Sequence, residues 1–311
     1  VTSDAAVTRG ASGARVAAQA KVNLRLRILA RETSGYHQLE TLFLRLALSD
    51  DIRITITTGP RSLDVDGDAD LRQIGAVERN LAWRAAEAYA AATGWPAGFN
   101  IQLTKHIPIG AGLGGGSADA AAVLRALDAI APTALGETAL LAIAEGLGAD
   151  VPFLTSTLPY ALAWGRGERM LALAAPPERE VLLLLPPFSI NTSSAYGWLA
   201  AALEGAVAPD VVLPIDATSL SDWDYIATLA TNDFEPVVSA RHPDISALVA
   251  QLRAARCSVA MMSGSGSAVF GVLPAVGGVE MPRFASSGTA PAPRVVLTRT
   301  AVRVEPVAVA D

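Results

Sequence analysis

The 311-residue chain contains a single cysteine, Cys257, which excludes an internal disulfide and any cysteine-rich metal site. A lone cysteine suits a reducing compartment and is more often a small core residue than a nucleophile. Positive charge is also scarce: 24 Lys and Arg stand against 30 Asp and Glu, for a formal charge of −6. Such a chain is a poor general partner for nucleic acid or an anionic membrane surface, so any phosphate site must be local. No uninterrupted apolar run reaches the roughly 18 residues of a membrane helix. VLLLL at 181–185 therefore reads as a buried strand. The first fifteen residues hold no apolar core of a signal peptide and read as a disordered terminus, and a cytoplasmic protein is expected.

Glycine, by contrast, is concentrated in one place. From Lys105 to Ala122 the run KHIPIGAGLGGGSADAAA joins a strand-like segment to a helix through a loop nearly devoid of side chains. Gly110, Gly112, Gly114, Gly115 and Gly116 can adopt positive φ and let a ligand approach the main chain. Ala120, Val123, Leu124 and Leu127 then fall at i, i+3, i+4 and i+7, the spacing of one apolar helix face. The loop feeds a helix N-terminus, whose unpaired N–H groups and dipole favour an anion. Ser117 is placed to cap that helix or touch a phosphate, and Asp119 is expected to point away from an incoming triphosphate. The Gly-Lys-Ser/Thr ending of a Walker loop is missing, as is the acidic residue about 20 positions on that a dinucleotide fingerprint requires. A flexible linker would be diluted with Ser, Thr or Pro and would not run into an amphipathic helix.

Around this loop the chain alternates helix and strand signals. Ala20, Val22, Leu24, Leu26 and Ile28 lie on one face of a strand and Lys21, Asn23, Arg25 and Arg27 on the other, which predicts a half-buried strand. Ile52, Ile54 and Ile56 mark a second strand, and Phe99, Ile101 and Leu103 a third. A helix is expected from Asn80, as N-cap, to Thr93, with Gly94 as its stop, and another over 140–147. A first domain is expected over 16–160 and a second over 161–311. The second half is expected to carry strands near 160–164, 181–185, 259–262, 267–273 and 294–300 and helices near 193–203 and 244–255. Long, varied connections favour an α+β class over a doubly wound parallel sheet. Residues 275–293, rich in Gly, Pro and Ser, read as a loop.

Four short signatures surround the glycine loop. Lys21 and Asn23, two apart on a strand, aim at the same space, although a strand lysine is usually a solvated charge. Gly35-Tyr36-His37 reads as a turn carrying an aromatic and an imidazole, either a plain surface turn or a flat recognition edge. In Gly148-Ala149-Asp150-Val151-Pro152 the aspartate is a helix N-cap, a base beside a phosphate acceptor, or both. Ser263-Gly264-Ser265-Gly266-Ser267 is a glycine hairpin that could also close over a phosphate-bearing ligand.

Taken together, AKVNL at 20–24, GYH at 35–37, IPIGAGLGGGSADAA at 107–121, GADVPF at 148–153 and SGSGSAVF at 263–270 resemble the GHMP small-molecule kinases. The resemblance runs from about Ala20 to about Arg299. It implies a two-domain GHMP kinase fold, ribosomal-S5-like at the N-terminus and ferredoxin-like at the C-terminus, working with ATP and Mg²⁺. The pairing of GYH with GADVPF is similar to the member that phosphorylates the 2-hydroxyl of a cytidine-diphosphate-linked methylerythritol in non-mevalonate isoprenoid synthesis. Another alcohol acceptor, or a non-catalytic metabolite binder, is the alternative. The partners implied are this small molecule, with no nucleic acid and no membrane, in a monomer or weak homodimer.

By position, the resemblance implies Lys21 and Asp150 as the catalytic pair, the lysine polarising the acceptor hydroxyl and the carboxylate acting as base. It places Asn23, Tyr36, His37 and Tyr196 on the acceptor substrate, with Tyr196 stacked on cytosine. Asn80 and Lys105 are implied near adenosine, and Pro108, Gly110, Gly112, Gly114, Gly115, Gly116 and Ser117 around the triphosphate. No carboxylate is assigned to Mg²⁺, for which Ser117 is a candidate contact.

Overall fold

The computed structural model describes residues 11–31, 37–70, 74–203, 215–275, 284–285 and 291–310. Its largest feature is an antiparallel ribbon of two long strands, β1 (Gly13–Arg31) and β2 (His37–Thr57). β1 begins inside the stretch expected to be disordered. Ala14 and Val16 continue its apolar face, and Gly13–Arg15 pair with Ala308–Ala310 (β12) as well as with β2. The β1–β2 register shifts between Gln19 and Lys21 and again between Asn23 and Arg25. Such irregularities re-aim side chains beside active sites, and Lys21 and Asn23 lie between them.

β4 (Gly98–Lys105) pairs with β2, β3 (Ser62–Gly67) pairs parallel to β4, and β5 (Tyr160–Gly165) extends β2 on its other half, followed by β6 (Arg169–Ala172). The strand near 160–164, expected in the second half, thus belongs to the first sheet. On this sheet lie α1 (Leu81–Thr93) and α2 (Gly115–Ile130). Asn80 caps α1 by accepting from the Ala82 N–H at 2.9 Å, and Gly94 ends it in a left-handed conformation, as the sequence predicts. Buried Ala82, Ala85 and Ala86 meet buried Ala118, Ala121 and Ala122, so small residues let the helices pack close to each other and to the sheet. α3 (Glu137–Glu145) and the five-residue α4 (Val151–Thr155) close this layer.

The second unit has an antiparallel sheet in the order β11 (Arg294–Arg299), β7 (Glu180–Leu185), β10 (Val269–Val272), β9 (Val259–Met262). α5 (Thr192–Leu203), α7 (Phe234–Ser239) and α8 (Pro243–Ala254) supply its helical side. Leu182, Leu184, Phe234, Leu248, Val249 and Leu252 form its core. Between α5 and α7 run α6 (Trp223–Leu229) and the two-residue β8 (Thr231–Asn232), which pairs with β1 at Arg25 and Leu26. Strands from late in the chain therefore complete the sheet that holds the early motifs. Most of the glycine- and proline-rich stretch 275–293 lies outside the described residues.

Candidate active site

Where the two units meet lies a cavity of about 550 Å³, lined by Lys21, Asn23, Asn80, Lys105, the loop 107–117, Asp150 and Tyr196. Its floor is the polar face of β1. That face is not solvated: Lys21 and Asn23 are each 3 % exposed.

The Lys21 ammonium connects three parts of the site. It donates to Asn23 Oδ1 at 2.8 Å and to the Gly112 carbonyl at 3.3 Å, and it lies 3.2 Å from Asp150 Oδ2. Asn23 in turn donates to Thr41 Oγ1 at 2.7 Å, and Thr41 donates to the Arg25 carbonyl at 2.8 Å. This chain fixes the lysine between the glycine loop and Asp150. Asp150 stands at the N-cap position of α4 but makes no capping bond; its carboxylate turns to Lys21 and remains partly open to the cavity.

In the loop, Gly110, Gly112 and Gly114 have positive φ, whereas Gly115 and Gly116 already belong to α2. The α2 cap is Gly114, so Ser117 is the helix's third residue rather than its cap. The first N–H groups of α2 have no acceptor one turn back and face the cavity that Gly114, Gly115, Gly116 and Ser117 line. A Cβ on Gly112 would run into the Ser263 carbonyl, and one on Gly114 into the Lys21 side chain. Glycine here is demanded by neighbours as well as by φ.

The 263–267 turn links β9 to β10 as a hairpin and also closes on the loop. Ser263 Oγ donates to the Gly112 carbonyl at 2.9 Å, and the Ala268 N–H donates to the Ala111 carbonyl at 3.1 Å. Asn232 holds the turn from behind, donating to the carbonyls of Met262 and Gly264 at 2.8 Å each.

Lys105 holds a second cluster of charge beside the loop. Its ammonium is bonded to two carboxylates, Asp50 Oδ2 and, at 2.6 Å, Asp119 Oδ2, at the root of the loop, where Lys105 and Asp119 also line the cavity. Asp50 also accepts from the main-chain N–H of His106 and Ile107, at 2.5 and 2.7 Å, where strand becomes loop. Burial would lower the Lys105 pKa, but Asp119 and Asp50 outweigh it and hold it above the ordinary lysine value. One ammonium between two acids leaves one negative charge in excess. Burial pushes the Asp119 carboxyl up to about 8, against the pull of Lys105 and with help from Asp50. Asp119 Oδ1 has no hydrogen-bond partner, and the side chain points inward under the loop.

At the far end, Tyr196 lies on α5 and meets Phe234 edge-on, ring centroids 4.8 Å apart. Burial, and then Asp150, raise its hydroxyl pKa to about 12. Thr192, Leu26 and Leu39 line the same end, while Ile74, Gly75, Arg79 and Leu81 line the end beside Asn80. Gly35 and Tyr36 lie outside the described residues; His37 opens β2 opposite Arg31. Thr41, Asp50, Asn232 and Phe234 were not singled out by sequence reasoning. Asp50 had a readable signal: it occupies the register of Leu46, Leu48, Ile52 and Ile54, an acid on an apolar face.

Comparison with known proteins separates fold from specificity. The models of the GHMP kinases N terminal domain and GHMP kinases C terminal match residues 80–157 and 215–276. The chain is 38 % identical over 255 residues to 4-diphosphocytidyl-2-C-methyl-D-erythritol kinase of Geobacter sp. (strain M21), covering 82 % of this chain and 88 % of that protein. To the namesake of Nitratidesulfovibrio vulgaris (strain DP4) it is 39 % identical over 259 residues, covering 80 % and 86 %. A crystal structure of 4-(cytidine 5'-diphospho)-2C-methyl-D-erythritol kinase aligns with a TM-score of 0.64 at 35 % identity, over 83 % of this chain and 89 % of that one. A homoserine kinase from Cytophaga hutchinsonii gives 0.66 at only 15 % identity, over 96 % and 97 %, which shows the shared fold alone. The two-domain α+β architecture, the family models and the identity over most of the chain together place it in the 4-diphosphocytidyl-2-C-methyl-D-erythritol kinase family of the GHMP kinases.

Proposed function

We propose that the chain transfers the γ-phosphoryl group of ATP to the 2-hydroxyl of 4-diphosphocytidyl-2-C-methyl-D-erythritol, a step of non-mevalonate isoprenoid synthesis. The observation that carries the mechanism is the Lys21 ammonium, bonded at once to Asn23, to Gly112 of the phosphate loop and to Asp150. A cation so placed lies between nucleotide and acceptor.

Phosphoryl transfer asks the protein mainly for positioning and for positive charge opposite the transferred oxygens. The N–H groups at the start of α2 bind the triphosphate, with adenosine toward Ile74, Asn80 and Leu81. Lys21 faces the oxygen charge that develops during transfer. Asp150 accepts the proton of the 2-hydroxyl as the new O–P bond forms, while the β–γ bridging oxygen leaves with ADP. An alcohol is far less acidic than a carboxylic acid, so proton transfer accompanies bond formation rather than preceding it. Cytosine stacks on Tyr196, which Phe234 braces from the side.

Among the described residues no group of three or more His, Cys, Asp and Glu could cage a metal ion. That suits Mg²⁺, which keeps water and phosphate ligands and takes few from protein; Ser117 and Asp150 line the cavity where it would sit. When bound, Mg²⁺ neutralises charge on the β- and γ-phosphates. Among the described residues no helix is long and apolar enough to cross a membrane.

The deciding experiment compares Mg-ATP-dependent phosphorylation of the cytidylyl methylerythritol, mevalonate and homoserine. Turnover of the first alone is expected; preference for either of the others would overturn the assignment.

A further inference from the structure

Lys21 and Arg45 are direct cross-strand partners on β1 and β2. Two cations side by side on one sheet face repel each other unless each finds separate compensation. Lys21 reaches Asp150, at the N-terminal end of α4. Arg45 reaches the other end of the same helix.

The Arg45 side chain is among the largest fully buried ones, at 1 % exposure. Its Nη2 donates to the carbonyls of Phe153, Leu154 and Ser156, and its Nε to that of Leu158, each at 2.9 Å. Among the described residues it forms no ion pair with a carboxylate; its charge is met by carbonyls at the negative end of α4. Burial, and then the Arg125 cation, lower its pKa to about 9, which leaves it charged at neutral pH. The guanidinium also lies 5.0 Å from the Phe153 ring centroid, and Phe153 stacks on Phe43 at 4.8 Å and 13°. The Phe43 ring centroid is 5.7 Å from the Lys21 ammonium.

We propose that Arg45 is a positioning residue for phosphoryl transfer: by holding the C-terminal carbonyls of α4 it sets the place of Asp150 against Lys21. This rests on the reading of Asp150 as the base. The physical reason is that α4 is a five-residue helix with no side-chain cap at its N-terminus and one side-chain bond at its other end, Ser156 Oγ to the Phe153 carbonyl, so its own hydrogen bonds do little to fix its tilt. One cation at each end, both rooted in paired positions of a rigid ribbon, can. A displacement of about 1 Å at a reacting group costs up to about 100-fold in rate, so a brace that never meets the substrate is still felt in kcat.

The test is a double-mutant cycle of Arg45→Met and Asp150→Asn, with Arg45→Lys as the conservative partner. Activities are scaled to the fraction of molecules that bind a non-hydrolysable ATP analogue. With Asp150 in place, Arg45→Met is expected to lower kcat about 10-fold or more with both KM values within about 2-fold, and Arg45→Lys to recover part of the loss, since lysine keeps the charge and three donors. In the Asp150→Asn background the same Arg45 substitutions are expected to change kcat by less than about 2-fold, because the group they position is gone. Equal losses in both backgrounds, or an unchanged kcat in Arg45→Met, would overturn the proposal. If Arg45→Met does not fold, Arg45→Lys decides by the same cycle. Near-normal activity of Asp150→Asn alone would instead remove the base on which the proposal rests, a result distinct from any Arg45 outcome.

Discussion

Two lysine–aspartate clusters flank the same glycine loop in space and differ in exposure. Lys21 and Asp150 face the cavity, the lysine 4 % and the carboxylate 28 % exposed at their side chains. Lys105, Asp50 and Asp119 are buried at the root of the loop, at 5, 0 and 4 %. The residue types are the same; what differs is how far the carboxylate is exposed. The open pair joins parts that must act on a substrate. The closed cluster ties β2, β4 and α2 together at the root of the phosphate loop.

The sharpest way to break this contrast is to remove charge from each cluster in turn. Asp150→Asn is expected to lower kcat by about 10²- to 10⁴-fold, the usual worth of a general base, with the KM for ATP little changed in steady-state kinetics. Equal activity would make Asp150 only the residue before a helix. Lys105→Met should act on stability instead. Leaving the buried Asp50 and Asp119 pair without its cation is expected to cost about 3–5 kcal/mol in urea unfolding, while kcat per folded molecule falls far less than in Asp150→Asn. A base-like loss of kcat with unchanged stability would reverse the two roles.

Tyr196→Ala tests the open end of the cavity. Loss of a base–aromatic stack worth about 1–3 kcal/mol is expected to raise KM for the cytidylyl substrate and leave the KM for ATP unchanged. An unmoved KM would place the cytosine elsewhere. A separate test, on stability against pH, concerns Asp119. Its folded-state pKa is raised to about 8 from 3.8, so between those values the folded protein holds a proton that the unfolded chain has released. Stability from this group is therefore full below about pH 4 and lost as pH rises through about 8. Asp119→Asn is expected to flatten that decline in unfolding free energy measured from about pH 5 to 9. An unchanged slope would show that Asp119 does not carry the excess proton.

What was legible in the sequence was local. The glycine loop, the start of α2, the cap and stop of α1 and the 263–267 hairpin are all written within a few consecutive residues. Lys105 was read as near adenosine from its place beside the loop; its two carboxylate partners lie 55 and 14 positions away, where local spacing does not report them. Asn23 and Lys21 were read as aimed at one space and are bonded to each other, but a strand's own alternation does not report how deeply they are buried. Asn232 and Phe234 sit in a short polar run after α6 with no periodic signal; their importance comes from where β8 inserts. The family resemblance supplied the acceptor and the pairing of Lys21 with Asp150, neither of which spacing alone would give.

The pairing of Gly13–Arg15 with Ala308–Ala310 bears on how the protein is made. Domains commonly fold as units during synthesis, N-terminal first, at about 5 to 20 residues per second. Here the sheet that carries Lys21 waits for β8 and then for β12. While the later residues are still in the ribosome, the emerging chain exposes an unfinished β1 edge, so nascent-chain protection by a chaperone, or slow release, would matter more for this enzyme than for one whose first unit closes on itself.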